Sequence, residues 1–583
     1  MDTPDPPAAA APGFTLATRR LGALPLISHF AARTGLPALL DAWVPADDPR
    51  LALDPAVVLS VVVANLCTEH RPLYALGEWA EAYEPSLLGL ADGEAALLND
   101  DRAGRTLDRL FRADRGSLLT QLMTGVISKF AIDCSRLHND STSVSVHGAY
   151  KDAGGGEVAG VPTAAVTFGH SKDHRPDLKQ LVFILTVSGD HAVPVTFRLA
   201  DGNTNDDPTH IPTWDQLVKL TGSPDFLYVA DCKLASAEAM RHIDAGRGRF
   251  ITVLPRSRKE DAAFRAWMQD HHPAWQEAHR APGARLGDPD QAWSTCEAAA
   301  PSAEGYRIVW VHDSGKQLRD AATRARRIAK GVQAIEDDLA ARLSSARTRL
   351  RTAAAVHEAA RAALAGAGAT RWVRYTVHEK TQESFRQASP GRPGPGTAYR
   401  RVEKTVFTVT CEVDVAQVAG DAASDGCWPL ITNDRQMTGA QVLAAYRYQP
   451  NLERRHHLLK TIQDAAPVWI KTIPRIEAIF MCHFIALLIC ALIERQIRMA
   501  MKAAEIAKIP LYPELRGCAA PSADRIFEIF AHVQRHELRD HAGNLIQAFE
   551  PELTGLQHQI LQLLEVPATA YTKATLDPRV AGR

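Results

Sequence analysis

The sequence has no closely spaced cysteine pair: its nine cysteines are scattered singly, with no Cys-x-x-Cys. That excludes a disulfide framework and a cysteine-built zinc site, and it fits a reducing cytoplasm. Excess charge is missing too, with 66 Lys and Arg against 67 Asp and Glu. Proteins that bind nucleic acid are often strongly basic, so any phosphate contact here must come from local positive surface. Met1 to Phe14 lacks the basic start and apolar run of a signal peptide and reads as a disordered tail. The longest apolar run, Ala478 to Ile493, is interrupted by His483. It falls short of the roughly 20 residues that span a bilayer, so it reads as a buried helix and no membrane partner is expected.

What is present is ordinary globular composition: 46% hydrophobic and 23% charged over 583 residues, enough for several domains. Residues 19–130 carry apolar side chains at helical spacing and read as a helical domain. Within them Arg102, Arg105, Arg109 and Arg112 share one amphipathic stretch, either a solvated face or a phosphate contact. The texture changes near residue 135. Leu137–Val146, Leu181–Val187 and Ala192–Leu199 read as three strands, followed by a helix at Thr213–Leu220. A strand at Asp225–Ala230, a helix at Ser236–Ile243 and a strand at Arg249–Leu254 complete an α/β pattern over 131–256.

Residues 257–425 interrupt that pattern. Lys316–Leu364 is Ala-, Arg- and Glu-rich and reads as a long helix or helical hairpin, its many arginines a solvated face or a basic surface. Trp372–Val377 and Lys404–Val413 read as strands around a Gly/Pro loop at Pro390–Gly396. Residues 426–500 and a region at 501–583 read as largely helical.

Asp140 lies in a strand and Asp231 directly follows one. Ligand sites of open α/β sheets favour strand ends. Two carboxylates there can share hard divalent ions, or each can simply form a turn or cap a helix. A stronger signal runs from Tyr446 to Lys460: Glu453, His457 and Lys460 are spaced i, i+4, i+7 on one helix face, with Leu452 and Leu459 on another. Pro450 suits the first turn of that helix.

Asp140, Asp231 and this segment resemble the DDE transposases of bacterial insertion sequences that carry a Tyr-x2-Arg-x3-Glu-x6-Lys signature. Tyr446, Glu453 and Lys460 stand where that family has Tyr, Glu and Lys. Gln449 stands where the family usually has Arg, which leaves one phosphate contact to Arg447, Arg454 or Arg455. Gly169–Gln180, Asp201–Asp206 and Asp425–Asn433 resemble further family segments, the last a strand re-entering the catalytic fold. The resemblance implies an α/β, RNase H-like mixed sheet with flanking helices, interrupted by an insertion at 257–425. It implies that Asp140, Asp231 and Glu453 are catalytic and hold two Mg²⁺ ions, with Mn²⁺ as a substitute. It also implies cleavage and strand transfer of DNA, with terminal inverted repeats and target DNA as partners, and a homodimer in a synaptic complex at the bacterial nucleoid.

DNA contacts are expected from Tyr446, Gln449, Lys460, Arg454, Arg455, His457, Lys172, Arg175, Lys179 and Trp428. Lys172, Arg175 and Lys179 line a DNA path or are loop charges, and Trp428 stacks on a base or packs in a core. His170 and His174 have zinc-helix spacing, but Gly169 and Pro176 disfavour the helix. The rival functions are a catalytically silent DNA-binding derivative and a metal-dependent hydrolase of another substrate.

Overall fold

A computed structural model describes residues 14–148, 150, 154–283, 287–345, 347–462 and 470–572. The tail expected over residues 1–18 lies outside the described residues up to 13. The chain divides into two compact units, residues 1–251 with 446–583, and residues 252–445.

The first unit is a mixed α/β body. Its sheet contains β1 (Arg136–Val146), β2 (Lys179–Ser188), β3 (Pro194–Ala200), β4 (Leu227–Val229) and β5 (Arg249–Val253), in spatial order β3-β2-β1-β4-β5. β1, β2 and β3 pair antiparallel as a meander. β4 and β5 follow parallel, each joined through a helix, His210–Thr221 and Ala237–Ala245. The central β1 is rich in Ser, Thr and Val, and almost every residue of it is buried. Side chains with two heavy atoms on Cβ suit the pleated surface of such a strand.

Helices Leu24–Thr34, Pro55–Cys67, Asp100–Arg112 and Arg115–Phe130 share one continuous core with the long helix Ile473–Ala503. By length and composition that helix could cross a membrane, yet its apolar window is wholly buried inside the protein. An apolar circumference without a polar face has this outcome when other helices surround it. Phe480 and Phe484 carry the contact to the sheet, Phe480 tilted against Phe183 at 5.7 Å and Phe484 stacked on Phe197 at 4.9 Å between centroids.

Two segments differ from the sequence reading. Thr15–Arg20 is a strand that pairs with Gln534–Arg539, and Leu545–Phe549 completes a three-stranded antiparallel sheet. The C-terminal region is therefore not purely helical. Its strand Gln-Arg-His-Glu-Leu-Arg lacks apolar alternation because every residue in it is half-buried, which leaves no period-2 signal to read.

In the second unit, Gln276–Ala281, Gln291–Glu297, Arg307–Asp313 and Cys427–Thr432 form antiparallel pairs in that order. The strand at Cys427–Thr432 belongs to this unit, where Trp428 is half-buried opposite Val311. Ser314–Gln333 and Ala353–Ala367 form a helical hairpin with a π-helical segment at Ala334–Leu339. A long ribbon, Val373–Gln387 with Tyr399–Val413, packs its base on that hairpin through Val373, Phe407 and Val409. The Gly/Pro loop lies at its tip.

Phe480→Ala removes a fully buried ring at the join of helix and sheet. It is expected to cost about 3–5 kcal/mol in chemical denaturation. A loss below about 1 kcal/mol would show that the long helix does not anchor the sheet.

Candidate active site

The parallel register between β1 and β4 pairs His138 with Val229. Asp140, within β1, and Asp231, just past the end of β4, are each two residues beyond that row, so both carboxylates come from neighbouring positions along the sheet. Asp140 is half-buried, and desolvation, with Asp231 and Asp206 beside it, pushes its carboxyl up to about 6, although Lys172 opposes the shift. Burial also raises Asp231, whose Oδ1 accepts a hydrogen bond from Lys233 N at 3.0 Å and caps a short 3₁₀ turn. The capping alternative and the cluster role are thus met by the same carboxylate.

Lys172 is exposed, and its ammonium is engaged with the acidic cluster. Its Nζ lies 3.8 Å from Asp140 Oδ1 and 3.5 Å from Asp206 Oδ2, and donates to Ser141 O at 2.5 Å and Ser141 Oγ at 2.9 Å. Ser141 Oγ in turn donates to Asp206 Oδ1 at 2.5 Å. An ammonium thus stands among three crowded aspartates. Hard carboxylate donors with too little neutralising charge suit a divalent cation. Among the described residues, however, no three His, Cys, Asp or Glu side chains converge closely enough to hold one ion, Asp140, Asp231 and Glu453 included.

Glu453 is on the helix Gln449–His457, where it is exposed. The phenol of Tyr446 feels Asp231, Asp140 and Glu453 together, and with burial they hold it protonated far above its ordinary range. This shared electrostatic neighbour links Glu453 to the two aspartates. The face of the helix turned inward is Gln449, Leu452, Arg455, His456 and Leu459, so the expected stripe of Glu453, His457 and Lys460 is its outer side. A π-helical turn at Leu458–Ile462 follows, and Lys460 Nζ binds Asp173 Oδ1 at 2.7 Å. That pair ties the helix end to the loop carrying Lys172.

Two expected DNA contacts are corrected. Gln449 is buried: its Oε1 accepts from His138 Nδ1 at 2.8 Å, in the tautomer that protonates Nδ1, and its Nε2 reaches Asn139 O at 3.5 Å. Burial pushes His138 down to about 4, so its ring is neutral. Arg455 is buried too. It donates to Ala192 O at 3.0 Å and His191 O at 3.2 Å, and lies 2.9 Å from Glu494. Both side chains are polar and long, and the sequence alone could not distinguish an inward from an outward helix face at these positions.

Of the others, Arg454 and His457 are exposed on the same helix. Arg175 pairs with Asp177 at 2.8 Å, and Lys179 Nζ donates to Tyr150 O at 2.9 Å. His170 and His174 fall in a loop, not a helix. Three residues of the site carried no earlier role: Asp206, His138 and His456. His456 is buried with Nε2 3.9 Å from Asp140 Oδ2, and burial pushes its ring down to about 3. Its position seven residues after Gln449 was the available signal, since that spacing repeats one helix face.

A family model described as a domain of unknown function, DUF4277, matches residues 16–124. No curated protein matches the chain. Among solved structures, the cryo-EM structure of the piggyBac transposase synaptic complex with hairpin DNA is similar at a TM-score of 0.35 and 8% identity. That match covers 83% of this chain and 77% of that chain. The likeness is too slight to bear on activity.

Two outcomes check this geometry. Gln449→Arg, which restores the residue of the signature, places a cation against neutral His138. It is expected to lower stability by about 2 kcal/mol; an unchanged melting midpoint together with tighter DNA binding would restore the phosphate role. Asp140 binds its proton more tightly folded than unfolded, where its pKa is about 3.9. Its contribution to stability is therefore present below about pH 4 and is lost as pH rises through about 6, a change of about 3 kcal/mol. Asp140→Asn should raise the metal-free melting midpoint near neutral pH and leave it unchanged in acid; an equal effect at both would contradict the shift.

Proposed function

We propose that the chain is a DNA transposase of the DDE type, which cleaves the ends of its own insertion sequence and joins them to target DNA. One observation carries the reading: Asp140 and Asp231 each lie two residues beyond the His138–Val229 row of two adjacent parallel strands, and the helix of Glu453 packs beside them. The meander of three strands followed by two parallel strands and then the Glu453 helix supports an RNase H-like core. The signature residues Tyr446, Glu453 and Lys460 add the resemblance.

Asp140, Asp231 and Glu453 would hold Mg²⁺ or Mn²⁺, which when bound neutralises charge at the scissile phosphate and acidifies the attacking water or 3′ hydroxyl. Glu453 must then close on the aspartates, and the Lys172 ammonium must yield its place beside Asp140. Lys172 is near enough to remain a partner for a phosphate oxygen once displaced. Tyr446 stays protonated, so it donates a hydrogen bond and does not attack phosphorus. Arg454 and His457, exposed beside Glu453, face the DNA backbone. The terminal repeats and target DNA are the partners, with two chains in a synaptic complex.

Labelled element-end DNA incubated with Mg²⁺ or Mn²⁺ tests this. Cleavage should fall by on the order of a thousandfold or more in Asp140→Ala, Asp231→Ala and Glu453→Ala, with DNA binding retained. Cleavage that survives all three changes would overturn the assignment. Binding without any cleavage by the unaltered chain would make it a silent derivative.

A further inference from the structure

The ribbon of the second unit has two unlike faces. Its register pairs Arg386 with Arg400, Gln382 with Lys404 and Lys380 with Val406. Side chains alternate along a strand, so Lys380, Arg386, Arg400 and Lys404 all share one face with Gln382, Ser384 and Val402. No acidic residue lies on that face between Lys380 and Val406. The opposite face holds Glu379, Glu383 and Glu403, and there Arg401 is paired with both Glu383 and Glu403. Among the described residues none of the four cations on the basic face makes an ion pair.

Two features make this arrangement costly without a partner. Arg386 and Arg400 are directly opposed like charges, which destabilises a strand pair. Beyond its base on the helical hairpin, the ribbon is exposed on both faces, and an unsupported two-stranded ribbon is marginal in water. The loop joining the strands adds Arg392 and no acid among Gly and Pro. From Lys380 to Arg386 the cations extend along about 20 Å, a length of about six base-pair steps.

We propose that this ribbon is a duplex-DNA-binding arm, its Lys380–Arg386–Arg400–Lys404 face set against backbone phosphates. A two-stranded ribbon has the width that the major groove admits. Contacts of this kind position the protein without reading sequence. The inference rests on the proposed function only in taking DNA as the partner.

The full chain in EDTA, titrated onto a labelled random-sequence duplex over a range of salt, separates the two ideas. Joint replacement Lys380→Gln, Arg386→Gln, Arg400→Gln and Lys404→Gln should weaken binding by about tenfold to a hundredfold at physiological salt. It should also reduce the slope of log Kd against log salt by about 3 to 4. A control replacing Lys129, Lys219, Lys502 and Lys508 by Gln, all exposed, should change the slope by less than about 1. The melting midpoint of the ribbon variant should be unchanged or raised, since repulsion is relieved.

An unchanged slope in the ribbon variant, or a loss equalled by the control, overturns the arm while leaving the transposase reading intact. A lowered midpoint makes the cations structural and also overturns it. A preference for single-stranded nucleic acid or for an acidic protein over the duplex does the same. Failure of the unaltered chain to bind any duplex overturns both readings.

Discussion

The seam between β1 and the helix Gln449–His457 is the constraint on which the candidate site depends. Gln449 meets His138 and Asn139, and His456 lies beside Asp140, so two turns of helix are matched to three consecutive residues of strand. Arg455 locks the same helix from the side through Ala192, His191 and Glu494. Breaking a buried ion pair by removing one partner strands a charge at a cost of about 3–5 kcal/mol. A slip of the helix along the strand would break every one of these contacts, and Glu453 would move relative to Asp140 with it. The rigidity lies in buried polar groups of the seam.

The site they frame is electrostatically tense. Asp140, Asp206 and Asp231 crowd together: burial and the neighbouring Asp231 and Asp206 raise Asp140, burial and Asp206 raise Asp231, and Lys172 opposes both shifts. Glu453, exposed on the rim, has the freedom that closing on the aspartates would require. Tyr446 holds its proton chiefly because it is buried, and the charges of Asp231, Asp140 and Glu453 add to the effect.

Much of this was legible beforehand for a physical reason. β1, β2, β3 and β5 are long or apolar enough to leave a clear pattern, and β4 (Leu-Tyr-Val) is a compact run followed at once by Asp231. The long helix declared itself by its apolar run, interrupted only by His483. Polar side chains at inward positions were not legible: Gln449 and Arg455 share composition with surface residues, and only the packed helix reveals which way they turn. The strands Gln276–Ala281 and Gln534–Arg539 are half-buried or exposed throughout, so no alternation betrayed them. Asp206 lay within a segment already noted, but its place beside Ser141 and Lys172 depends on a loop returning across 65 residues of sequence.

The central claim is that Asp140, Asp231 and Glu453 form one cation site framed by the seam. Mn²⁺ titration followed by electron paramagnetic resonance, in the absence of DNA and slightly above neutral pH, tests it most directly. The account predicts uptake of two ions per chain, with at least one lost in each of Asp140→Asn, Asp231→Asn and Glu453→Gln while the melting transition stays cooperative. Mn²⁺ uptake that is the same in the three variants as in the unaltered chain would contradict it.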